Sequence, residues 1–320
     1  MMDRVFDFAL RNGFLIVLVV TFIGFSVGTA HFFELQNILN IVHTMSPLAI
    51  TAAGLSLVVI SGRLDISVGS IAFLSCSIGA LLMQQQGLDP AIALVVTLAC
   101  GAALGAVNGF IVTVLRVNSL ITTLGTMIAY RGVALTLTDS LLVQVPDSVR
   151  VLGNARIGVV PADIFIMLIV VAIVHIVHSR TAFGRHITAM GNDVATARKV
   201  GLRVDRIGFM SFVLSGLLAS IGGVMTTLQN GAVSPFLGSG LEFTALAALV
   251  VGGVSLLGGR GRILTSVLAG AFIFEMIRNG LTNLGANPYS YRLVVGVVIF
   301  AAMYADALKS GRLSLRPRTT

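Results

Sequence analysis

Charged residues are scarce in this chain: Asp, Glu, Lys and Arg together make up 11% of its 320 residues. Soluble domains carry about a quarter charged residues, and hydrophobic residues account for 56% of this chain. A soluble fold of this length could not cover so much apolar surface with polar groups. The composition therefore excludes a soluble globular protein and predicts an all-α integral membrane protein.

Cysteine and lysine are also scarce, with two residues of each. Cys76 and Cys100 lie in apolar runs, so they are expected to be packing residues rather than a disulfide framework or a metal site. Lys199 and Lys309 do not follow glycine, which excludes a phosphate-binding P-loop. His-Glu-x-x-His motifs, Gly-x-Ser-x-Gly motifs and suitably paired carboxylates are missing from the sequence as well. The chain is therefore predicted not to be an enzyme and to bind no cofactor, metal or nucleic acid itself.

Long apolar runs are abundant. A membrane span needs about 20 mostly apolar residues, and ten segments qualify as candidates, some of them short or broken. These segments are 13–31, 47–62, 66–85, 90–114, 119–137, 161–178, 207–228, 241–258, 263–284 and 288–306. The first is expected to be an uncleaved span, because Asp3 and Asp7 interrupt the basic region that a signal peptide needs.

Several of these spans begin with helix-start signals. An N-cap residue followed by proline marks the start of a helix, and a Ser with a Glu three residues later forms a capping box. The predicted starts are Ser46-Pro47, Asp89-Pro90, Pro161, Ser239 with Glu242, and Asn287-Pro288. Gly101, Gly105 and Gly109 in the fourth span are expected to allow close helix packing.

The distribution of basic residues predicts the orientation. If the N-terminus is cytoplasmic, 16 of the 21 Lys and Arg residues fall in cytoplasmic segments, and only Arg150 and Arg156 are external. Lys and Arg accumulate in short cytoplasmic loops. The chain is thus predicted to be a single transmembrane domain over 1–320 with both termini cytoplasmic. A cytoplasmic loop at about 179–206 and a basic tail at about 307–320 belong to it.

Two glycine-rich hairpins, at 61–70 and 252–262, are faintly similar, and repeated halves are common in transporters. The first carries Arg63, Asp65 and Ser67 between two apolar runs. Charges within a membrane are costly and usually functional, whereas on a cytoplasmic hairpin they would be solvated or paired. The sequence leaves both placements open.

A polar stripe marks the ninth span, where Glu275, Arg278, Asn279 and Thr282 share one helical face. It lines a water-filled or substrate path, or it holds an ion pair that only ties helices together. Asn118, Thr122 and Thr123 at the start of the fifth span contact substrate, or they bond their own backbone. Both alternatives stay open for both groups.

The segment TAFGRHITAMGNDVATARKVGLRVDRI at 181–207 is the most structured polar segment. Asn192 or Asp193 is expected to cap a short helix over 194–200, and Gly201 supplies a left-handed C-terminal stop. A small helix between two spans is suited to docking another protein. The alternative is a basic loop that only enforces topology or contacts anionic lipid, and composition alone favours that alternative.

Four segments resemble, in order, motifs of permease subunits in ribose-type carbohydrate ABC importers. They are SGRLDISVGS, NSLITTLGTMIAYRGVAL, TAFGRHITAMGNDVATARKVGL and GLEFTALAALVVGGVSLLGGRGRILTSVLAG, and the match runs over roughly residues 35–306. One departure stands in the first motif. The family has two glycines and an aliphatic residue before the aspartate, where this chain has Ser61, Arg63 and Leu64 around Gly62.

The resemblance implies a multi-pass permease of the bacterial inner membrane that imports a monosaccharide or related polyol by alternating access. It implies a second permease copy, identical or a related paralogue, and a periplasmic sugar-binding protein. Two ATP-binding subunits, or one fused tandem ATPase, would use ATP and Mg. An ion-gradient-driven secondary transporter with Glu275 as its coupling carboxylate is the alternative function.

The resemblance also gives the short helix a role, and the residue patterns add candidates for the path. The helix near 194–200 would slot into a groove of the ATPase. The residues expected in ATPase coupling are Gly184, Arg185, Gly191, Asn192, Asp193, Ala195, Ala197, Arg198 and Gly201. The candidates for the translocation path or its gate are Arg63, Asp65, Ser67, Asn118, Thr122, Thr123, Glu242, Glu275, Arg278 and Asn279.

Overall fold

The computed structural model of the chain describes residues 13–29, 32–287 and 289–309, which form thirteen α-helices and four short strands. The helices are α1 (Gly13–Gly28), α2 (Leu35–Ile60), α3 (Val68–Gln86), α4 (Pro90–Thr113), α5 (Ser119–Leu137), α6 (Asp147–Gly153), α7 (Ala162–Arg180), α8 (Ala182–Asn192), α9 (Val194–Lys199), α10 (Val204–Asn230), α11 (Leu241–Val251), α12 (Ile263–Asn283) and α13 (Ser290–Lys309). The strands are β1 (Val143–Gln144), β2 (Arg156–Ile157), β3 (Val160–Pro161) and β4 (Ala232–Val233).

Helix α2 lies at the centre of the bundle and is buried along most of its length, with α10 and α12 packed beside it. Helices α4, α5 and α7 form the periphery and expose most of their apolar side chains. A helix that exposes this much apolar surface is stable only against lipid or a protein partner. The all-α membrane fold predicted from composition is therefore confirmed.

Close glycine packing joins α4 to α10. A Cβ at Gly101 would lie 2.7 Å from the Gly216 carbonyl oxygen, and one at Gly109 would lie 3.2 Å from the Phe209 Cα. Only glycine lets two helix backbones approach this closely. The packing predicted for the glycine face of the fourth span is confirmed.

Seven described helices are long and apolar enough to cross a membrane: α2, α3, α4, α5, α7, α10 and α12. The expected spans at 13–31 and 288–306 correspond to α1, of 16 residues, and to α13. The expected span at 241–258 is only the 11-residue α11. At about 1.5 Å per residue, α11 covers only half of a bilayer core, so it is one of the short helices expected. The count of ten spans stays a prediction.

The helix start predicted at Ser46-Pro47 is wrong, because α2 begins at Leu35 and Pro47 lies inside it. The Ser46 hydroxyl donates to the Val42 carbonyl at 3.1 Å instead of capping. Proline cannot donate to the carbonyl four residues earlier, which here is that of His43. The Gln229 side chain donates to this carbonyl at 2.9 Å, so α2 continues through the proline without an unpaired backbone group.

Of the other four predicted helix starts, one is confirmed, two differ from the structure and one is not described. Asp89 caps α4 by accepting from Ala91 N at 2.9 Å, with Pro90 as the first helical residue, as predicted. Pro161 is the N-cap of α7 rather than its first residue. The capping box at Ser239 is wrong, because the N-cap of α11 is Gly240, which has no side chain to cap with. Pro288 lies outside the described residues.

Two small antiparallel strand pairs close one end of the bundle. Val143 pairs with Val233 in β1 and β4, and Arg156 pairs with Pro161 in β2 and β3. Strands β1 and β4 contact α3, and β4 also contacts α10. Helix α6 contacts α10, and β3 contacts α2 and α7. Helices α8 and α9 lie at the opposite end, before α10 begins.

Candidate functional site

Four glycines bring three separate segments into backbone contact at one end of the bundle; we call Gly62, Gly191, Gly258 and Gly259 the glycine junction. Gly259 N donates to the Ile60 carbonyl at 2.8 Å, which joins the two glycine-rich hairpins directly. Gly191, at the end of α8, lies between the hairpins, and a Cβ there would collide with the Ile60 carbonyl oxygen and with Gly259 N. The helical loop and both hairpins are therefore packed together as one unit.

Helix α9 is the short helix that the sequence predicts. The Asp193 carboxylate caps it by accepting from Ala195 N at 2.8 Å and Thr196 N at 3.1 Å. Gly201 follows with a φ of 85°, the left-handed stop expected there. Hydrogen bonds from the Thr196 backbone and side chain, and then from Ala195, lower the pKa of Asp193 below its usual range. At neutral pH the cap is therefore charged and complete.

The residues assigned to ATPase coupling divide into an exposed and a buried set. Arg185, Asn192, Asp193, Ala195 and Arg198 are exposed, although Asn192 Oδ1 lies against Gly259 of the second hairpin. Gly184 and Ala197 are buried and fix the two helices to the bundle: a Cβ at Gly184 would collide with the His178 carbonyl. The loop therefore combines exposed polar groups with buried residues that anchor it to the bundle.

Arg63, the departure from the family motif, faces this loop. Its guanidinium contacts the Met190 sulfur at 3.3 Å and packs against Gly208, where a Cβ would lie 2.6 Å from Nη1. Burial lowers the pKa of Arg63, and the nearby Asp205 carboxylate opposes that shift. Arg63 therefore links the first hairpin to α8 and to the start of α10.

A buried polar network lies just inside this hairpin. Asp65, fully buried, accepts from Ser67 N at 3.0 Å, from Ser67 Oγ at 2.6 Å and from Ser215 Oγ of α10 at 3.0 Å. Ser67 Oγ in turn accepts from Asn108 Nδ2 of α4 at 2.7 Å. A buried carboxylate is stable only when it is hydrogen-bonded in this way. Asp65 and Ser67 thus hold α3, α4 and α10 together.

The start of α5 supports the same hairpin. Leu64 N donates to Ser119 Oγ at 3.2 Å. Asn118 caps α5 by accepting from Leu120 N at 2.9 Å, and Thr123 donates to the Ser119 carbonyl at 2.9 Å. Thr122 is buried. Asn118 and Thr123 therefore have local structural roles, and none of the three lines a described cavity.

Two neighbouring cavities of about 440 and 350 Å³ lie at the other end of the bundle. They share Thr44, Glu275, Arg278 and Tyr291 in their walls. Arg278 binds Glu275 through Nε at 2.7 Å and Nη2 at 2.6 Å. The polar stripe of the ninth span therefore does both things that the sequence left open: it holds an ion pair, and it lines a cavity.

Asn279 also lines the smaller cavity and is bound to α2 through a pair of amides. Its Nδ2 donates to Asn37 Oδ1 at 2.9 Å, and Asn37 Nδ2 donates back to its Oδ1 at 3.1 Å. Glu242 is buried and lies against Gly69 at the start of α3. Glu242 is not among the residues that line the two cavities.

Three polar residues in or beside the larger cavity were not among the site residues predicted from the sequence. Gln229 Nε2 donates to Asp163 Oδ2 at 2.6 Å, and His43 Nδ1 lies 2.8 Å from the same oxygen. These residues belong to α10, α7 and α2, far apart in the chain. Each is a polar group at the edge of an apolar run, which is the only signal the sequence offers.

A bundle of apolar helices with a polar cavity at one end and a capped helical loop at the other has the architecture of a transport permease. The model of a family described as "branched-chain amino acid transport system / permease component" matches residues 37–303. The chain therefore belongs to this family.

Curated relatives agree with this assignment. The ribose import permease protein RbsC of Escherichia coli K12 is 36% identical over 300 residues, which cover 92% of this chain and 93% of the relative. The probable ABC transporter permease protein YphD of the same strain is 35% identical, covering 96% and 92%. The autoinducer 2 import system permease protein LsrC of Photorhabdus luminescens is 33% identical, covering 91% and 88%. No solved structure matches the chain significantly.

These matches confirm the resemblance read from the four motifs. The chain is a permease subunit of an ABC importer and a multi-pass protein of the bacterial inner membrane. It is a transport subunit rather than an enzyme. None of these three relatives is named as an ion-driven secondary transporter, which was the alternative function.

Proposed function

We propose that the chain imports a monosaccharide or related polyol by alternating access, as one half of a permease pair. The relatives' names include ribose import and autoinducer 2 import, so small polar, hydroxylated substrates are the class they favour. The polar cavities at one end of the bundle suit such a substrate. Both termini and the loop at 179–206 would then be cytoplasmic, and the cavities would open outside.

ATP hydrolysis would be carried by partner subunits, either two ATP-binding chains or one fused tandem ATPase using ATP and Mg. A periplasmic binding protein would deliver the sugar to the cavity end. The second permease would be an identical copy or a paralogue, and it would cover part of the exposed apolar surface of the peripheral helices. Lipid would cover the rest.

The glycine junction is the observation that carries the coupling part of this proposal. Helices α8 and α9 present exposed groups outward, while Gly191 holds them against both hairpins. A force applied to α9 by an ATPase would reach Asp65 and α3 through the first hairpin. It would reach α11 and α12 through the second.

Replacing Gly201 with valine tests the coupling role. Gly201 has open space around it but a φ of 85°, so a β-branched residue strains the end of α9 without a collision. Gly87 is the matched control, because it also has open space and a left-handed φ, of 63°, but lies at the other end of the bundle.

The measurement is the yield of the ATP-binding subunit that co-purifies with the tagged chain from its native membrane. We expect Gly201→Val to lower that yield several-fold, while Gly87→Val leaves it at the level of the unaltered chain. Equal yields from both variants would remove the coupling role of α9. Failure of any ATP-binding subunit to co-purify with the unaltered chain would remove the partner assignment.

A further inference from the structure

The larger cavity, of about 440 Å³, lies between α2, α10, α11, α12, α13 and the segment before α11. Its volume is within the range of small-molecule sites, about 300–1,000 Å³. His43, Gln229, Thr244, Arg278 and Tyr291 contribute polar side chains to its wall. All of the lining residues described belong to this one chain.

Pro47 determines how the Gln229 side chain is oriented in one wall of the cavity. Because the proline leaves the His43 carbonyl without its helical donor, Gln229 Nε2 donates to that carbonyl at 2.9 Å and to Asp163 Oδ2 at 2.6 Å. Both partners are acceptors, so the amide nitrogen must face them, and its two hydrogens are used. Gln229 Oε1, which accepts no hydrogen bond in the described part of the chain, remains for a ligand.

His43 presents a second acceptor. Its Nδ1 is buried 2.8 Å from Asp163 Oδ2, and two acceptors that close would repel, so Nδ1 carries the proton. The tautomer fixed by that contact leaves Nε2 as an acceptor. The His43 side chain is 25% exposed although Nδ1 is buried, so the rest of the ring is accessible from the cavity.

The facing wall supplies a donor. Arg278 uses Nε and Nη2 to bind the buried Glu275 carboxylate, which leaves Nη1 free to donate, and its side chain is 48% exposed. Its charge is already balanced by Glu275.

We propose that this cavity binds an uncharged polyhydroxylated solute within a single permease chain. Hydroxyls of the solute donate to Gln229 Oε1 and His43 Nε2 and accept from Arg278. A hydroxyl both donates and accepts, so it suits a cavity with acceptors on one wall and a donor on the other. An anionic solute would find no unpaired positive charge on the wall, because Arg278 is already paired with Glu275. Asp163 is a positioning residue that orients Gln229 and His43.

This inference rests on the proposed import function and deepens it. Solute protection of a cysteine tests it directly. Thr44 lines both cavities, so Thr44→Cys, combined with Cys100→Ser, would place a thiol there for a membrane-impermeant methanethiosulfonate reagent. Cys76 is buried and stays in place. The probes are D-ribose and ribitol as uncharged polyols, ribonate as the charged counterpart, and cyclopentanol as the apolar one.

We expect ribose or ribitol at millimolar concentration to slow labelling several-fold in the assembled importer, and ribonate and cyclopentanol to leave the rate unchanged. Equal rates with all four probes would overturn the site. So would protection by ribonate or cyclopentanol equal to that by the polyols.

A variant tests the acceptor wall of the cavity. Gln229→Met removes the Oε1 acceptor at similar volume, together with the Nε2 donor to the His43 carbonyl and to Asp163. We expect polyol protection to need roughly tenfold more solute or beyond, as for the loss of at least one hydrogen bond. Gln85→Met is the matched control, because Gln85 is exposed at the end of α3. Unchanged protection in Gln229→Met would remove that residue from the site. The labelling result does not depend on this variant.

Uptake measured in the same membranes distinguishes a failure of the binding site from a failure of the proposed import function. Protection without ATP-dependent uptake of any pentose, hexose or polyol would contradict the proposed function and leave the site standing. Uptake of such a solute without protection of the cysteine would contradict the site and leave the function standing.

Discussion

At Gly191 the chain has no room for a side chain, although its backbone is ordinary helix at the end of α8. The neighbouring atoms are backbone atoms of Ile60 and Gly259, which belong to the two hairpins. Backbone atoms cannot move aside as a flexible side chain does. The contact is therefore rigid, and glycine is required there by packing rather than by conformation.

Replacing Gly191 with alanine tests this contact. Alanine favours a helix over glycine by about 1 kcal/mol, but overpacking of a filled site costs typically 1–3 kcal/mol. We expect a lower thermal-unfolding midpoint for the detergent-solubilised chain, measured with a thiol-reactive dye or by size-exclusion after heating. Gly132→Ala in α5 is the control, since a Cβ there has open space.

Gly132→Ala should leave the midpoint unchanged or raise it slightly. A midpoint for Gly191→Ala equal to that of Gly132→Ala would show that the junction tolerates a side chain. The packed contact between α8 and the hairpins would then be wrong.

Single residues were predictable where their role is local. Asp89 and Asp193 cap helices and Gly201 ends one because the chemistry lies within three or four positions of sequence. Pro47 follows the same local rule, and there the prediction was wrong. Its missing hydrogen bond is compensated by Gln229, about 180 residues away, and no local pattern contains that information.

Among the elements, α9 is short and depends on a single capping side chain, Asp193. It has six residues, too few to persist without a cap. The lowered pKa of Asp193 fixes the sign of its pH dependence. The cap is complete above the ordinary pKa of an aspartate, and it is lost as the pH falls through the lowered value.

Replacing Asp193 with alanine should destabilise α9 by removing its N-cap. We expect faster backbone hydrogen exchange over 194–199 and weaker retention of the ATP-binding subunit, because the docking helix must be ordered on binding. Asp193→Asn keeps a side-chain acceptor and should retain most of the protection. The measurements are exchange mass spectrometry and co-purification yield.

Asp89→Ala is the control for that experiment. It removes the equivalent cap of α4 and should speed exchange only at the start of α4, without a change in ATP-binding subunit yield. If Asp193→Ala left exchange over 194–199 unchanged, the cap would not hold α9. If both variants lost the ATPase equally, the effect would not be specific to the loop.

The lengths of elements were predicted less well than their existence. A helical segment of the structure lies at each of the ten apolar runs, but α2 begins twelve residues earlier than expected and α11 ends seven residues early. Hydropathy reports whether a segment avoids water, not where its backbone breaks. The glycines at 252–253 allow α11 to end, and the hydropathy of that run gives no sign of it.

For the whole molecule, composition was sufficient for the class of fold, because so few charges and so much apolar sequence leave few alternatives. The meeting of Asp65 with Ser215 and Asn108, or of Asp163 with His43 and Gln229, could not be predicted. Those contacts depend on how helices distant in sequence pack, and no single-sequence pattern encodes it. The sequence motifs identified the family, and the long-range contacts are seen only in the folded structure.

The central claim is that this chain forms the membrane path of an importer driven by ATP. Purified permease and its co-purifying ATP-binding subunit, reconstituted in proteoliposomes with the binding protein, provide the most direct measurement. We predict that radiolabelled ribose or a related polyol accumulates when ATP is present on the α9 side, and that an imposed proton or sodium gradient without ATP gives no accumulation. Accumulation that follows the ion gradient and ignores ATP would contradict the account.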